Sequence, residues 1–115
     1  MGEVRVTLEG IKTLGRHGAN PGERDQPQEF LVDLEILTAV VEDDIDAVID
    51  YRTLASTVRD VVAGTSYHLV EILADAVARA VFELPLITEV TATVHKPSAA
   101  DALDADDVYA EVTYS

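Results

Sequence analysis

The sequence predicts an α+β fold, in which a four-stranded antiparallel sheet carries two helices on one face. Four segments alternate apolar and polar residues, which is the period of a half-buried strand, and two segments repeat apolar residues at helical spacing. The order is β-β-α-α-β-β, and two hairpins that flank two helices predict an antiparallel sheet. A chain of 115 residues, 48% of them hydrophobic, has the size of one domain, so we expect a single domain over residues 1–115.

The first two strands lie on either side of a loop that is rich in glycine and proline. We predict the first strand over residues 3–12 and the second over residues 28–41, ending at Val41. The inward residues of the second strand are expected to be Phe30, Val32, Leu34 and Ile36. Loops as long as residues 14–27 are commonly functional in compact domains, so we expect this loop to line a site.

The two helices are recognised by their ends. Asp50 is placed to cap the first helix by accepting hydrogen bonds from free N–H groups, and Gly64 is a natural end for it. The second helix is predicted from about Ser66 to Leu84, because Pro85 cannot continue it. Its predicted apolar face consists of Leu69, Ile72, Leu73, Ala76, Val77, Ala80 and Val81.

The third strand, over residues 89–97, places a lysine on its apolar face. Lys96 continues the inward series of this strand, and Pro97 ends the pairing because proline has no backbone N–H. Lys96 therefore lies at the mouth of the core. In one interpretation its methylene stem covers apolar surface while the ammonium reaches water; in the other it transfers protons in a site.

The end of the chain leaves one face of the sheet without a cover. We predict a polar loop over residues 99–107 and a fourth strand from Val108 to Tyr114. Leu31 and Leu37 lie on the face opposite the helices, which makes that face unusually apolar. Oligomerisation through the edges or faces of the sheet would bury it, and an active site between subunits would follow.

The acidic composition argues against nucleic acid and anionic membranes as partners. The chain has 22 acidic and 8 basic residues, a net charge of −14, whereas both partners need a positive surface. The absence of cysteine removes disulfide and thiolate chemistry and suits a reducing compartment. The first residues contain no long apolar run, so we expect no signal peptide or membrane span and a cytoplasmic location.

Metal, nucleotide and serine-hydrolase sites are not indicated by the sequence. His17, His68 and His95 have no metal-binding spacing, and the chain offers no cysteine ligand. The glycines of the first loop do not match a phosphate-binding motif, and the loop leads into a strand rather than a helix. None of the serines lies in the context of a nucleophile elbow.

Four residues remain as candidates for chemistry, namely Glu23, Tyr51, Glu71 and Lys96. Each of them, taken singly, also has a purely structural interpretation. Glu23 can be a solvated loop charge, and Tyr51 can pack in the first turn of a helix with its hydroxyl in water. Glu71 can be an exposed carboxylate that the dipole of the second helix favours.

Four segments together resemble a known family. Residues 17–24, 43–51, 68–71 and 94–97 read HGANPGER, DDIDAVIDY, HLVE and VHKP. In this order they resemble the signature segments of the dihydroneopterin aldolases of folate biosynthesis. The resemblance implies the tunnelling fold, in which subunits join their sheets edge to edge into a ring-shaped barrel, commonly with two tetrameric rings stacked as an octamer.

The resemblance also implies a role for each candidate residue. Glu71 would anchor the aminopyrimidinone edge of a pterin by accepting two N–H bonds, and the backbone at Val70 would make a second contact to the ring. Lys96 would act as general acid and base through a bound water, and Glu23 would hold and polarise it. Tyr51 would reach in from a neighbouring subunit to exchange a proton with the substrate or intermediate.

The implied reaction is a retro-aldol cleavage of dihydroneopterin into 6-hydroxymethyl-dihydropterin and glycolaldehyde, with epimerisation as a further activity. No metal or organic cofactor is expected, because the pterin ring accepts the electrons released on cleavage. Two alternatives stay open: an epimerase of the same fold that acts on dihydroneopterin triphosphate, and a pterin-binding ring protein without catalysis. The chain departs from the family pattern before Asp43, at residues 19–20 and at residues 98–101, all in predicted loops around the site.

Overall fold

The computed structural model describes residues 2–39 and 42–115 of the chain. It contains four strands, three α-helices and two short 3-10 helices, at residues 23–25 and 45–47. The α-helices and strands in chain order are β1 (Glu3–Gly15), β2 (Gln28–Ala39), α1 (Tyr51–Gly64), α2 (Val70–Phe82), β3 (Ile87–His95), α3 (Pro97–Leu103) and β4 (Tyr109–Tyr114). The second strand was predicted to reach Val41, but Val40 and Val41 lie outside the described residues.

The four strands form one antiparallel sheet in the order β1-β2-β3-β4. The α+β class and the antiparallel sheet are therefore confirmed. Helix α1 packs on β1, and α2 packs on α1, β3 and β4. Because β1 and β4 are the outer strands, each leaves one edge of the sheet without a partner strand among residues 2–39 and 42–115.

An extra residue in β1 keeps its apolar side chains on the inner face. Leu8 pairs with Leu34 and Ile11 with Val32, so β1 advances by three residues where β2 advances by two. Gly10 lies in this bulge with a φ of 68°, a conformation that glycine adopts without strain. The strand therefore runs three residues beyond the predicted end at residue 12, and its inward positions change from even to odd numbers.

The core lies between the sheet and the helices. The predicted inward residues of β2 are all buried, as is the apolar series of β3 before Lys96. Helix α1 contributes one residue per turn, namely Leu54, Val58 and Val62. Asp50 caps α1 by accepting a hydrogen bond from the backbone N–H of Arg52 at 2.8 Å, which confirms the predicted start of the helix.

Helix α2 begins later than predicted, and its buried face shares only Leu73, Val77 and Val81 with the predicted one. Before Val70, Ser66 donates to the carbonyl of Arg16 at 2.7 Å, and the N–H of Tyr67 donates to His17 at 2.9 Å. These contacts hold the segment in a non-helical conformation, so the prediction of a start at Ser66 was wrong. The buried residues are Leu73, Ala74, Val77, Ala78 and Val81, whereas Leu69 and Ile72 of the predicted face are exposed.

The predicted polar loop after residue 98 was also wrong, because residues 97–103 form helix α3. Pro97 occupies the first turn of α3, where its missing N–H costs nothing and its fixed φ favours the helix. Asp104 ends the helix in the left-handed conformation with a φ of 57°. The one buried side chain of α3 is that of Ala100.

Candidate active site

The end of β3 places Lys96 beside Glu23 of the glycine-rich loop. Lys96 Nζ lies 2.6 Å from Glu23 Oε2, and the two side chains are only 16% and 19% exposed. Pro97 begins α3 directly after the lysine, so the strand stops at the point where the ammonium leaves the core. An ion pair that is partly removed from water is held together, because each charged group would lose an oppositely charged partner on moving away.

Three neighbours hold the Glu23 carboxylate. The N–H of Asn20 donates to Oε1 and the side-chain amide of Gln28 donates to Oε2, both at 3.2 Å. Gly18 lies so close that a Cβ at this position would meet the Glu23 carboxyl carbon at 2.0 Å. Asn20 and Gln28 therefore each hold one oxygen of the carboxylate by a hydrogen bond, and the absence of a side chain at Gly18 leaves space for it.

The charge of Glu23 at neutral pH follows from its contacts. The hydrogen bond from Lys96 lowers the pKa of Glu23 below its ordinary value; burial opposes this, and the bonds from Gln28 and Asn20 reinforce it. Glu23 is therefore a carboxylate at neutral pH. A carboxylate in direct contact with an ammonium can orient it toward a substrate and stabilise the positive charge whenever the lysine takes up a proton.

His17 joins the same loop to the ends of the two long helices. Its Nε2 contacts the carbonyl of Val62 at 2.8 Å, and its Nδ1 accepts from the N–H of Tyr67 at 2.9 Å. The ring is buried between Phe30, at 5.4 Å between centroids, and Tyr67, at 5.7 Å. Burial lowers the pKa of His17, the Val62 carbonyl opposes this, and the nearby charge of Lys96 lowers it further.

The other predicted site residues lie at the starts of helices. Val70 and Glu71 are the first two residues of α2, where free backbone N–H groups and the helix dipole favour an acidic or hydrogen-bonding partner. The segment before them is attached to the loop of Glu23, because Gly18 donates to the carbonyl of Tyr67 at 3.0 Å.

Tyr51 is not brought to the Glu23–Lys96 pair within one chain. It begins α1, is 61% exposed, and lines a cavity of about 240 Å³ formed by residues 45, 48, 49, 50 and 51. That cavity includes none of the other predicted site residues.

Two residues that support the site, Gln28 and Ser98, are not indicated by the sequence. Gln28 donates to the carbonyl of His17 at 2.9 Å as well as to Glu23, and it accepts a hydrogen bond from Ser98 of α3. Gln28 begins β2, and Ser98 comes directly before the predicted loop 99–107. The sequence around neither residue has a pattern that indicates a polar contact. Pro97 was the one available signal, because proline is common in the first turn of a helix, and a helix that begins there includes Ser98.

A larger cavity lies on the opposite face of the sheet. It measures about 550 Å³ and is lined by Leu31, Asp33, His95, Asp107 and residues of the β1 bulge and α3. His95 lies between two carboxylates, with Nε2 at 2.7 Å from Asp33 and Nδ1 at 2.9 Å from Asp107. Because neighbouring residues of a strand point to opposite faces, this cavity is separated by the sheet from Lys96.

Within residues 2–39 and 42–115, no group of three or more His, Asp or Glu side chains is arranged to hold a metal ion. Across that part of the chain, none of the helices has the length and apolar character needed to span a membrane.

Comparison with known proteins identifies the family. The profile of the FolB family, dihydroneopterin aldolase, matches residues 6–113. A dihydroneopterin aldolase of Streptomyces coelicolor is 39% identical over 108 residues, covering 90% of this chain and 91% of that protein. Dihydroneopterin aldolase 2 of Arabidopsis thaliana is 31% identical over 101 residues, covering 84% and 77%.

Solved structures share the same architecture. Escherichia coli dihydroneopterin aldolase in complex with neopterin superposes with a TM-score of 0.85 at 23% identity, covering 97% of this chain and 99% of that one. A dihydroneopterin aldolase from Burkholderia thailendensis bound to guanine gives 0.80 at 26% identity, with coverages of 97% and 90%. The fold that the tunnelling-fold family gives to a single chain is therefore confirmed, and the chain belongs to the dihydroneopterin aldolase family of carbon–carbon lyases.

Proposed function

We propose that this chain cleaves 7,8-dihydroneopterin into 6-hydroxymethyl-7,8-dihydropterin and glycolaldehyde, with Lys96 transferring the protons and Glu23 holding it. The observation that carries the assignment of roles is the 2.6 Å contact between Lys96 Nζ and Glu23 Oε2 in a chain of this family. The pair is partly buried and joins the glycine-rich loop, which contains Glu23, to the end of β3.

The cleavage requires one hydroxyl group of the substrate to lose a proton and one carbon atom to gain a proton. The side-chain hydroxyl that becomes the aldehyde of glycolaldehyde loses its proton, and the carbon–carbon bond beside it breaks. The C=N bond of the dihydropterin ring accepts the electron pair, and the carbon that remains on the ring then takes up a proton. Lys96 can supply and receive these protons through a bound water, and Glu23 compensates its positive charge.

Glu71 and Val70 are the proposed pterin anchor. The carboxylate of Glu71 would accept two N–H bonds from the aminopyrimidinone edge, and the backbone at Val70 would contact the same ring. The position of both residues in the first turn of α2 supports this, because that turn has free N–H groups. Neopterin and guanine, the ligands of the two solved relatives, share this aminopyrimidinone edge, which supports a pterin as the substrate.

Tyr51 is proposed to act in the site of a neighbouring subunit. Its 61% exposure, and its place in a cavity that none of the other proposed site residues lines, support a role outside its own chain. The unpaired edges of β1 and β4 can join between subunits, which would close the sheets into the ring-shaped barrel of a tetramer or octamer. A cytoplasmic location is proposed with it, on the basis of the acidic and cysteine-free composition.

The test is incubation of the purified protein with dihydroneopterin, with products followed by chromatography. We expect Lys96→Ala to lose glycolaldehyde release by on the order of a hundredfold or more while it still binds 6-hydroxymethyl-dihydropterin. Glu71→Ala should instead lose binding, since its contact is made in the ground state as well as in the transition state. Wild-type turnover by Lys96→Ala would refute the proposed mechanism.

Dihydroneopterin triphosphate serves as the comparison substrate. A site for a triphosphate favours basic residues at its rim, whereas this chain carries a net charge of −14 and only Arg16 and Arg24 lie near the loop in sequence. We expect kcat/KM for the triphosphate to be the lower of the two. A higher value for the triphosphate would instead favour the epimerase.

A further inference from the structure

His17 is a buried polar residue to which the proposed reaction gives no role. Its side chain is 1% exposed and lies where the glycine-rich loop, the last turns of α1 and the segment before α2 meet. A buried imidazole is costly unless both of its nitrogens have partners, and here both do. The partners belong to two different segments of the chain.

The contacts determine which nitrogen of His17 carries the proton. The N–H of Tyr67 donates to Nδ1 at 2.9 Å, so Nδ1 has no hydrogen. Nε2 therefore carries it and donates to the carbonyl of Val62 at 2.8 Å. Burial opposes the charged form, and the pKa of His17 is correspondingly lowered, so the ring remains neutral and this tautomer is maintained.

A short chain of contacts leads from His17 to the reacting groups. The carbonyl of His17 accepts from Gln28 at 2.9 Å, and the same amide group donates to Glu23 Oε2 at 3.2 Å. Glu23 Oε2 in turn lies 2.6 Å from Lys96 Nζ. On the other side, the N–H of Gly18 donates to the carbonyl of Tyr67 at 3.0 Å, three residues before Val70.

We propose that His17 is a positioning residue: as its neutral Nε2–H tautomer it fastens the loop of Glu23 to the segment before α2 and so fixes Glu23 against Lys96. This inference rests on the proposed roles of Glu23 and Lys96. His17 touches neither the substrate nor the reacting atoms and acts through the backbone of its own loop.

A simple packing role makes a different prediction. If His17 only filled space, an apolar side chain of similar size would preserve activity, since the surrounding Phe30 and Val62 are apolar. If it positions the loop, activity depends on a hydrogen-bond acceptor for the N–H of Tyr67. Asparagine can place its Oδ1 near the position of the histidine Nδ1, whereas leucine cannot accept a hydrogen bond.

The experiment compares His17→Leu with His17→Asn in the full-length protein, using steady-state cleavage of dihydroneopterin. We expect His17→Leu to lower kcat by about tenfold or more with KM changed by less than about threefold, because a misplaced carboxylate affects the reacting groups rather than the pterin anchor. His17→Asn should recover most of that loss. A folded His17→Leu protein with wild-type kcat, or a His17→Asn protein as impaired as His17→Leu, would overturn the proposal.

Val81→Ala is the matched control for stability. Val81 is fully buried near the far end of α2, and none of the hydrogen bonds that hold His17 and Glu23 involves it. The substitution Val81→Ala should lower the Tm of the protein while leaving kcat unchanged. If kcat falls in Val81→Ala in proportion to the loss of Tm, the effect of His17→Leu would be one of general stability, and the positioning role would be rejected.

A second measurement applies to the wild-type protein and does not depend on the folding of a variant. Nitrogen NMR of ¹⁵N-histidine-labelled protein should show His17 with a protonated Nε2 and an unprotonated Nδ1. The opposite tautomer, or a charged ring at neutral pH, would refute the inference. Wild-type activity in Lys96→Ala would refute the proposed catalytic roles instead, and the tautomer of His17 would be unaffected by that result.

Discussion

At the scale of single residues, the site depends on a glycine that leaves room for a carboxylate. A Cβ on Gly18 would approach three atoms of the Glu23 side chain to between 2.0 and 2.5 Å. The obstacle is the flexible end of a side chain, so the backbone can remain in place while the carboxylate moves. The side chain of Glu23 therefore occupies the space that a larger residue at position 18 would fill.

We expect Gly18→Ala to preserve the fold and to impair catalysis. Displacement of Glu23 by about an ångström would break its contact with Lys96 and lower kcat by on the order of ten- to a hundredfold. The Tm should change by only a few degrees. Gly64→Ala is the matched control, because no atom lies within 4 Å of the added Cβ there, and it should retain full activity. Equal kcat in Gly18→Ala and wild type would show that the position of Glu23 is unimportant.

His95 makes a second prediction at this scale, on the opposite face of the sheet. Burial disfavours its charged form, but the hydrogen bonds to Asp33 and Asp107 outweigh this and raise the pKa of His95 above its ordinary value. A histidine whose pKa is raised by folding stabilises the protein fully below about pH 6.5, and this contribution is lost as the pH rises through the folded-state pKa.

The free energy of unfolding of His95→Gln should therefore differ most from that of wild type below about pH 6.5, and the difference should shrink at higher pH. Denaturant unfolding of both proteins across pH 5.5–8.5 measures it. Subtracting the two curves removes the contribution of His17, whose lowered pKa acts in the opposite direction below about pH 6.5. A difference that grows with pH would contradict the assigned interactions of His95.

At the scale of elements, α2 shows a limit of sequence periodicity, because its buried face is turned about the helix axis relative to the predicted face. The charged residues of segment 69–81 recur every four positions and indicate one outward face, but the apolar residues on both sides of the row Leu73, Val77 and Val81 satisfy helical spacing equally well. The structure chooses the face of Leu73, Ala74 and Val77, because the segment before Val70 is held by His17 and Arg16. Those tertiary contacts join residues about 50 positions apart, and a pattern within one window cannot reveal them.

The two faces of α2 can be distinguished by a matched pair of substitutions. Leu73→Ala should lower the free energy of unfolding by about 2–5 kcal/mol, because Leu73 is fully buried and its removal leaves a cavity. Ile72→Ala should change it by less than about 1 kcal/mol, since Ile72 is 48% exposed. Denaturant titrations at one protein concentration measure both. Equal losses would show that Ile72 is buried as well.

Elements with one apolar face were predicted well, in contrast to α2. Strand β2 has an apolar residue at every second position from Phe30 to Ile36, and these inward residues are buried as the sequence indicates, although Leu31 makes the other face partly apolar. The cap at Asp50 and the strand end before Pro97 also follow from local chemistry. Helix α3 was missed because its alanines and aspartates lack an apolar stripe, although Pro97 at its start was a valid signal.

At the scale of the whole molecule, one chain brings together only part of the predicted site. Glu23 and Lys96 are in contact, and Val70 begins a helix tied to their loop, but Tyr51 lines a separate cavity. Sequence motifs indicate which residues take part without indicating which subunit supplies them. The unpaired edges of β1 and β4 allow subunits to join head to tail, and in such a ring every site meets the same neighbour.

Mixed assemblies test whether sites are shared between subunits. Tyr51→Ala and Lys96→Ala should each be nearly inactive alone, yet subunits unfolded together and refolded as a mixture should regain activity. In a ring, a site with an intact Lys96 from one subunit and an intact Tyr51 from its neighbour forms with a probability of about one quarter, so recovery should approach about a quarter of wild-type activity.

The control is each variant unfolded and refolded by itself, which should remain inactive. Native mass spectrometry can establish that the mixed oligomers have formed, with a small tag on one variant to separate the masses. No recovery in verified mixed oligomers would place Tyr51 and Lys96 of each working site in the same subunit, or would remove Tyr51 from the reaction. Recovery near one quarter requires two different chains to complete one site, because a site built within one chain stays defective in every subunit of the mixture.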